Sequence, residues 1–170
     1  MAQVFVSIGS NQQRRKHIQA GITRLGQRLP DLLISPVYET AAVGFEGDPF
    51  LNLVIGFESD ESPEALNEWF KAIEIEQGRQ QGGKKFAPRT LDLDLLLYGD
   101  RVQAQQGLQL PRDEIEKYAF VLQPLADIVP DGVYPGRDQT FAEMWAAALA
   151  QGTMMPGQRI EWMPVTANDR

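Results

Sequence analysis

Pro88-Arg89-Thr90-Leu91-Asp92-Leu93-Asp94-Leu95-Leu96-Leu97 alternates apolar and acidic residues through its centre, the period of a β-strand and not of a helix. On a strand, residues two apart share a face. Asp92 and Asp94 therefore project together, while Leu91, Leu93, Leu95 and Leu97 point the other way into a core. Adjacent carboxylates repel unless a cation neutralises them. A hard, oxygen-seeking ion such as Mg²⁺ is one solution, and an edge strand whose acids pair with lysine or arginine is another. The spacing fits both.

Upstream, Val4, Val6 and Ile8 alternate with Phe5 and Ser7 in a strand from Gln3 to Ile8, which Gly9-Ser10-Asn11 breaks with a turn before a helical pattern begins. Ile18, Ile22, Leu25 and Leu29 recur at helical spacing until Pro30 stops them. Leu32 to Thr40 and Phe50 to Ser59 read as two further strands, separated by a loop holding Gly44, Gly47, Asp48 and Pro49. Ser62 is a candidate N-cap with Pro63 at the first helical position, and Leu66, Trp69, Phe70 and Ile73 form an apolar face that ends near Gly78. Beyond the acidic strand, Phe120 to Ile128 reads as a short helical stretch bounded by Pro124 and Pro130. Thr140-Phe141-Ala142-Glu143 is a capping box that opens a helix through Trp145 and Leu149. The order strand-helix-strand-strand-helix-strand predicts an α+β fold, a ferredoxin-like sandwich with helices packed on a mainly antiparallel sheet. Residues 1–170 read as a single domain whose tail, from about residue 152, carries no assignment.

Composition narrows the chemistry. With 43% hydrophobic and 23% charged residues, the chain suits a compact fold and not a disordered one. A net charge of −7 opposes a general nucleic-acid or anionic-membrane binder. The absence of cysteine excludes disulfides, thiolate nucleophiles and cysteine-ligated metals. His17 is the only histidine and lies in the polar run Arg14-Arg15-Lys16-His17, which reads as a solvated helix face. No apolar run approaches membrane-spanning length and no leader pattern opens the chain, so the expected location is the cytoplasm.

Local charge runs against this global balance. Arg79, Lys84, Lys85 and Arg89 fall within eleven residues that contain no acid. A cationic, glycine-rich loop feeding a two-carboxylate strand suits a Mg²⁺-polyphosphate site, in which metal and basic side chains share the phosphate charge. Gly78 to Lys85 nearly spells a P-loop, but Lys85 stands where a Ser or Thr would be needed, and the segment follows a helix and enters a strand, the reverse of the P-loop order.

Ser7-Ile8-Gly9-Ser10-Asn11, Tyr38-Glu39-Thr40, Phe50-Leu51-Asn52, Glu74 through Arg79, Pro88 through Asp94 and Ala119-Phe120-Val121-Leu122 together resemble the 6-hydroxymethyl-7,8-dihydropterin pyrophosphokinases of folate biosynthesis, in order and spacing through about Asp131. The resemblance implies transfer of the terminal pyrophosphoryl unit of ATP to the hydroxymethyl oxygen of a reduced pterin, with attack on the β-phosphorus and release of AMP. It implies catalytic roles for Asp92, Asp94, Arg79 and Arg89, with both aspartates holding two Mg²⁺ ions. ATP would be bound by Glu74, Lys85, Arg89 and Arg112, and the pterin by Thr40, Ala41, Val43, Phe50, Asn52, Phe86 and Phe120. The expected partners are thus two small molecules, with no nucleic acid and no membrane. The chain departs from the family pattern at Pro111-Arg112, where Pro-His is usual, at Tyr118 in place of an arginine, at Gln81 and at Phe86. Arg112 is positioned in sequence to restore the charge lost at Tyr118. These departures keep open a pterin-binding paralogue with weakened ATP use; a two-metal phosphodiesterase is a more remote alternative.

Overall fold

The structure, a computed structural model, describes residues 1–41, 47–78, 90–105 and 107–166. In chain order the elements are β1 (Ala2–Ser10), α1 (Arg14–Gly26), β2 (Leu33–Ile34), β3 (Val37–Thr40), β4 (Phe50–Ser59), α2 (Pro63–Glu76) and β5 (Asp92–Tyr98). They continue with β6 (Gln103–Gln105), β7 (Leu108–Leu110), α3 (Glu114–Lys117), α4 (Ala119–Ile128), α5 (Phe141–Gln151) and β8 (Gln158–Ile160). The main sheet runs β5-β1-β4-β3-β8, with β2 also beside β4, and its pairings are antiparallel. With β2 and β3 counted as one interrupted strand, the first four strands stand in the spatial order fourth, first, third, second. This is the ferredoxin-like arrangement expected from the sequence.

Period-two alternation divides the sheet into two apolar faces. Val4, Val6 and Ile8 of β1, Leu51, Leu53 and Ile55 of β4, and Leu93 and Leu95 of β5 pack against Ile18, Ile22 and Leu25 of α1 and Leu66, Phe70 and Ile73 of α2. The opposite face presents Phe5, Val54, Leu96 and Leu97 to Val121, Leu122 and Leu125 of α4 and to Phe141 and Met144 of α5. The chain's last third therefore adds a second helical layer to the ferredoxin-like half. Local chemistry starts the helices as expected. The Ser62 hydroxyl accepts the Ala65 N–H at 3.1 Å with Pro63 behind it, and Thr140 and Glu143 exchange hydrogen bonds at 3.1 and 3.0 Å.

Several expectations require correction. The stretch Leu32 to Thr40 is not one strand, because Pro36 has no N–H for a ladder and splits it into β2 and β3. Ser35 bridges the gap: its hydroxyl accepts the Val54 N–H at 2.8 Å, and its own N–H donates to the Val54 carbonyl at 2.9 Å. Gly9 and Ser10 do not break β1 but continue it, since both have partners on β4. Leu97 does not share the face of Leu93 and Leu95. A register shift where Val6 pairs with Leu95 and Phe5 with Leu97 inserts Leu96 as an extra residue and turns Leu97 to the second core. Helix α1 ends at Gly26, three residues before buried Leu29, whose N–H still reaches the Leu25 carbonyl at 2.9 Å. Pro124 lies inside α4 and does not bound it. It is buried, and the Phe120 carbonyl forgoes the intrahelical donor that Pro124 lacks. His17 is half-buried, not a solvated ring, and its Nδ1 pairs with Gln77 Oε1 at 3.0 Å between α1 and α2. The β6-β7 hairpin, α3 and β8 have no counterpart in the sequence expectations.

Ser35 is fully buried, and Ser35→Ala would strip the Val54 N–H of its acceptor in the middle of the sheet. The expected cost is about 1–3 kcal/mol of unfolding free energy, read as a lower urea midpoint at unchanged slope. An unchanged midpoint would show that the Ser35 bridge does not carry the interrupted strand.

Candidate active site

The register of β1 with both its neighbours assembles the site. Gly9 stands opposite Asn52 on β4 and opposite Asp92 on β5, while Asn52 stands opposite Tyr38 on β3. Directly paired residues of antiparallel strands share a face, so Tyr38, Asn52, Gly9 and Asp92 form one row across four strands. The next row holds Val54, Ser7 and Asp94. Both rows lie on the face covered by the C-terminal helices.

At one end of this surface, Asn52 is buried and its Nδ2 donates to the Thr40 hydroxyl at 2.7 Å. Phe50 pairs with Thr40 and precedes Asn52 on the same face. Gly9 is required there for space: a Cβ on it would sit 2.9 Å from Asn52 Oδ1 and 3.7 Å from the Phe50 ring. Helix α4 crosses β4 and β3 on this face and carries Phe120, whose ring stacks on Tyr118 at 4.8 Å and 18°. The Tyr38 hydroxyl donates to the Asp127 carboxylate of α4. Burial, and then the bond to Asp127, push the Tyr38 hydroxyl far above the usual phenol range, so it stays protonated and remains the donor. Ala41 follows the end of β3 and is exposed.

At the other end, Asp92 and Asp94 emerge half-exposed on β5, and Ser7 lies buried opposite Asp94. Beyond the β6-β7 hairpin the chain returns to β5, where the Arg112 N–H donates to the Leu96 carbonyl at 2.9 Å. This places the Arg112 guanidinium 3.7 Å from Asp94 Oδ1 and 2.9 Å from Glu114 Oε1. Burial opposes the guanidinium charge, but Asp94 and Glu114 outweigh it and hold Arg112 above the usual arginine range. Its Nε is buried and has no acceptor among the described residues. Glu74 sits on the far side of β5, buried in α2, where its Oε2 accepts the Leu93 N–H at 2.7 Å. Because β5 is the sheet's edge, that N–H has no strand partner, and Glu74 fastens the strand between its two aspartates.

Thr40, Phe50 and Asn52 thus meet in one cluster, Asp92, Asp94 and Arg112 in a second, and the Gly9 row joins them. Val43, Arg79, Gln81, Lys85, Phe86 and Arg89 lie outside the described residues. Sequence reasoning missed Gly9 as a site residue, Ser7, Glu114 and the Tyr38–Asp127 pair. A glycine continuing an alternating strand is the one visible signal for the first, while the others depend on contacts between distant segments. Among the described residues there is no cluster of three or more metal-ligating side chains, and no helix is long and apolar enough to cross a membrane.

Two acids beside a guanidinium at one end of the row, and a buried amide with aromatic rings at the other, fit the class of diphosphotransferases, which the family comparisons show. The model of the 7,8-dihydro-6-hydroxymethylpterin-pyrophosphokinase family matches residues 5–130, and the chain belongs to that family. It is 38% identical over 161 residues to the 2-amino-4-hydroxy-6-hydroxymethyldihydropteridine pyrophosphokinase of Pseudomonas aeruginosa, covering 91% of this chain and 97% of that protein. The Aquifex aeolicus protein of the same name is 37% identical over 137 residues, 79% of this chain and 85% of that one. The fold is similar to that of Plasmodium falciparum HPPK-DHPS crystallised with pteroate, with a TM-score of 0.72 at 11% identity. That match covers 88% of this chain but only 43% of the longer Plasmodium chain.

Gly9→Ala tests the row directly. The added methyl must displace the Asn52 amide, so the Asn52 side-chain NH₂ signals are expected to shift away from their Thr40-bonded position in ¹H-¹⁵N spectra. Unmoved signals would mean that Gly9 does not hold the amide's place.

Proposed function

We propose that this chain transfers the pyrophosphoryl group of ATP to the hydroxymethyl oxygen of 6-hydroxymethyl-7,8-dihydropterin, with AMP as the second product. The observation that carries this reading is the Tyr38–Asn52–Gly9–Asp92 row, which supports an acceptor pocket around Asn52 beside a phosphate site around Asp92 on one sheet face. In the reaction the hydroxymethyl oxygen forms a bond to the β-phosphorus. The bond between that phosphorus and the oxygen bridging it to the α-phosphorus breaks, its electron pair leaves with AMP, and the hydroxyl proton is released.

Asn52, held by Thr40, supplies donor and acceptor atoms to the pterin edge, and Phe50 and Phe120 supply apolar contact for its ring. Holding the acceptor in this way replaces a bimolecular encounter with a fixed orientation. Asp92 and Asp94 are hard oxygen donors on one face of a strand that Glu74 anchors, which fits divalent-cation binding, and the residues that would hold Mg²⁺ are these two. Mg²⁺ held there would supply charge neutralisation for the triphosphate. The Arg112–Asp94 contact does not bar that role. An ion pair about one-third exposed on both sides contributes at most about 1 kcal/mol, less than a divalent ion gains from the same carboxylate. The Arg112 guanidinium, positioned by its bond to Glu114, would offer its planar fork to phosphate oxygens. Arg79, Lys85 and Arg89 extend the phosphate set on the sequence resemblance, as does Phe86 for the pterin, with Ala41 and Val43 contributing at its rim.

A product assay with ATP, Mg²⁺ and the reduced pterin is expected to yield AMP and pyrophosphorylated pterin in equal amounts. Asp92→Asn and Asp94→Asn are each expected to lower turnover on the order of 10²-fold or more. Pterin binding without turnover by the unmodified chain would overturn the transferase reading in favour of a binding paralogue. Arg112→Ala is expected to raise the KM for ATP by about tenfold, as loss of a charged hydrogen bond does, with the pterin KM unchanged. An unchanged ATP KM would remove Arg112 from the phosphate site.

A further inference from the structure

The segment after α5 has no part in the site as described so far, yet it touches both walls of the acceptor pocket. Strand β8 adds to the outer edge of β3, with Glu39 opposite Gln158, Tyr38 opposite Arg159 and Val37 opposite Ile160. Just before it, the Gly157 N–H donates to Gln123 Oε1 of α4 at 2.8 Å. Gln123 stands one helical turn beyond Phe120, so the acceptor for this bond belongs to the helix that carries the aromatic wall.

On its other side Gly157 lies against β3 so closely that a Cβ would come within 3.2 Å of both Thr40 Cγ2 and Tyr38 Cβ. Its φ lies outside the left-handed region, so the glycine is there for space and not for backbone conformation. Thr40 is thereby held from two directions, by Gly157 against its methyl and by the Asn52 amide on its hydroxyl. The segment is itself fastened at both ends. Met154 is buried in the core beneath α4 and α5. Trp162 packs on the opposite core beneath the Arg15 guanidinium, and the Gln19 side chain of α1 exchanges hydrogen bonds with the Val165 backbone at 2.9 and 2.7 Å.

We infer that this C-terminal segment is a strap for the pterin pocket, with Gly157 and Gln123 as positioning residues that fix Thr40 and its partner Asn52 against the helix bearing Phe120. The inference rests on the pterin reading of the previous subsection. Gln123 and Gly157 bond to each other and not, among the described residues, to Asp92, Asp94 or Arg112, so the strap acts on the pterin and not on ATP.

The test is steady-state kinetics on the full chain with each substrate varied in turn. Gln123→Ala and Gly157→Ala are each expected to raise the KM for the reduced pterin about two- to tenfold, the effect of losing or displacing one neutral hydrogen bond, with the KM for ATP and kcat unchanged. Gln123→Glu keeps an acceptor for the Gly157 N–H and is expected to restore the pterin KM. A purely structural role predicts something else: both KM values, kcat and the melting temperature would move together, and Glu at position 123 would give no selective rescue. That pattern, or an unchanged pterin KM in both variants of an otherwise active enzyme, would overturn the strap. Failure of the unmodified chain to make pyrophosphorylated pterin would instead strike at the function reading itself, and the strap's role would fall with it.

Discussion

The molecule's working surface depends on a steric condition at the centre of its sheet: β1 must pass between β4 and β5 with no side chain at position 9. With a side chain there, the Asn52 amide could not lie over the strand, and the row from Tyr38 to Asp92 would lose continuity. The condition is met inside a ladder paired on both sides, where a glycine weakens strand propensity by about 0.5–1 kcal/mol. Long pairing of β1 with β4, from Ala2 to Ser10, absorbs that weakness. Asn52 and Asp92 are consequently held by rigid strands and not by loops, which limits the error in their separation.

Charge around the phosphate end is arranged in a similarly economical way. Among the described residues there, the guanidinium of Arg112 lies between Asp94 and Glu114, with Asp92 on the same strand face. On the proposed reading, cations must be supplied by a divalent ion and by the basic run from Arg79 to Arg89. On the same reading, Asp94 and Glu114 hold the guanidinium close to where phosphate would bind.

Much of this was legible in sequence, and the limits follow from what a linear pattern encodes. Alternation identified β4, the acid-bearing face of β5 and the ferredoxin-like order, because burial on one face imposes a period of two. The caps of α2 and α5 were legible because capping is local chemistry. Leu97 was misplaced because a bulge depends on the partner strand, and nothing in the run Leu95-Leu96-Leu97 marks where the register shifts. Pro124 misled for a related reason: its cost to the helix is local, while the packing of its helix neighbours Val121, Leu122 and Leu125 depends on distant segments. In the site, the acids and Asn52 stood out by type. Glu74 came only with the family resemblance, and its bond to the Leu93 N–H is a matter of sheet edges that follows from the strand order.

The C-terminal third shows why absence of a motif is a poor guide to absence of a role. A ferredoxin-like half with α1 and α2 on one side leaves its other face, the one bearing the site, without a wall. Helices α4 and α5 supply that wall. A wall built from a separate stretch of chain must then be set at a fixed distance from β3, and two contacts one helical turn apart on α4 do this: the Tyr38 hydroxyl on Asp127 and the Gly157 N–H on Gln123. The first uses a side chain that the sequence displays. The second uses a backbone amide and the space left by a missing side chain, neither of which forms a recognisable pattern, so the part of the chain beyond the family-matched residues 5–130 joins the pocket through groups that motif reading passes over.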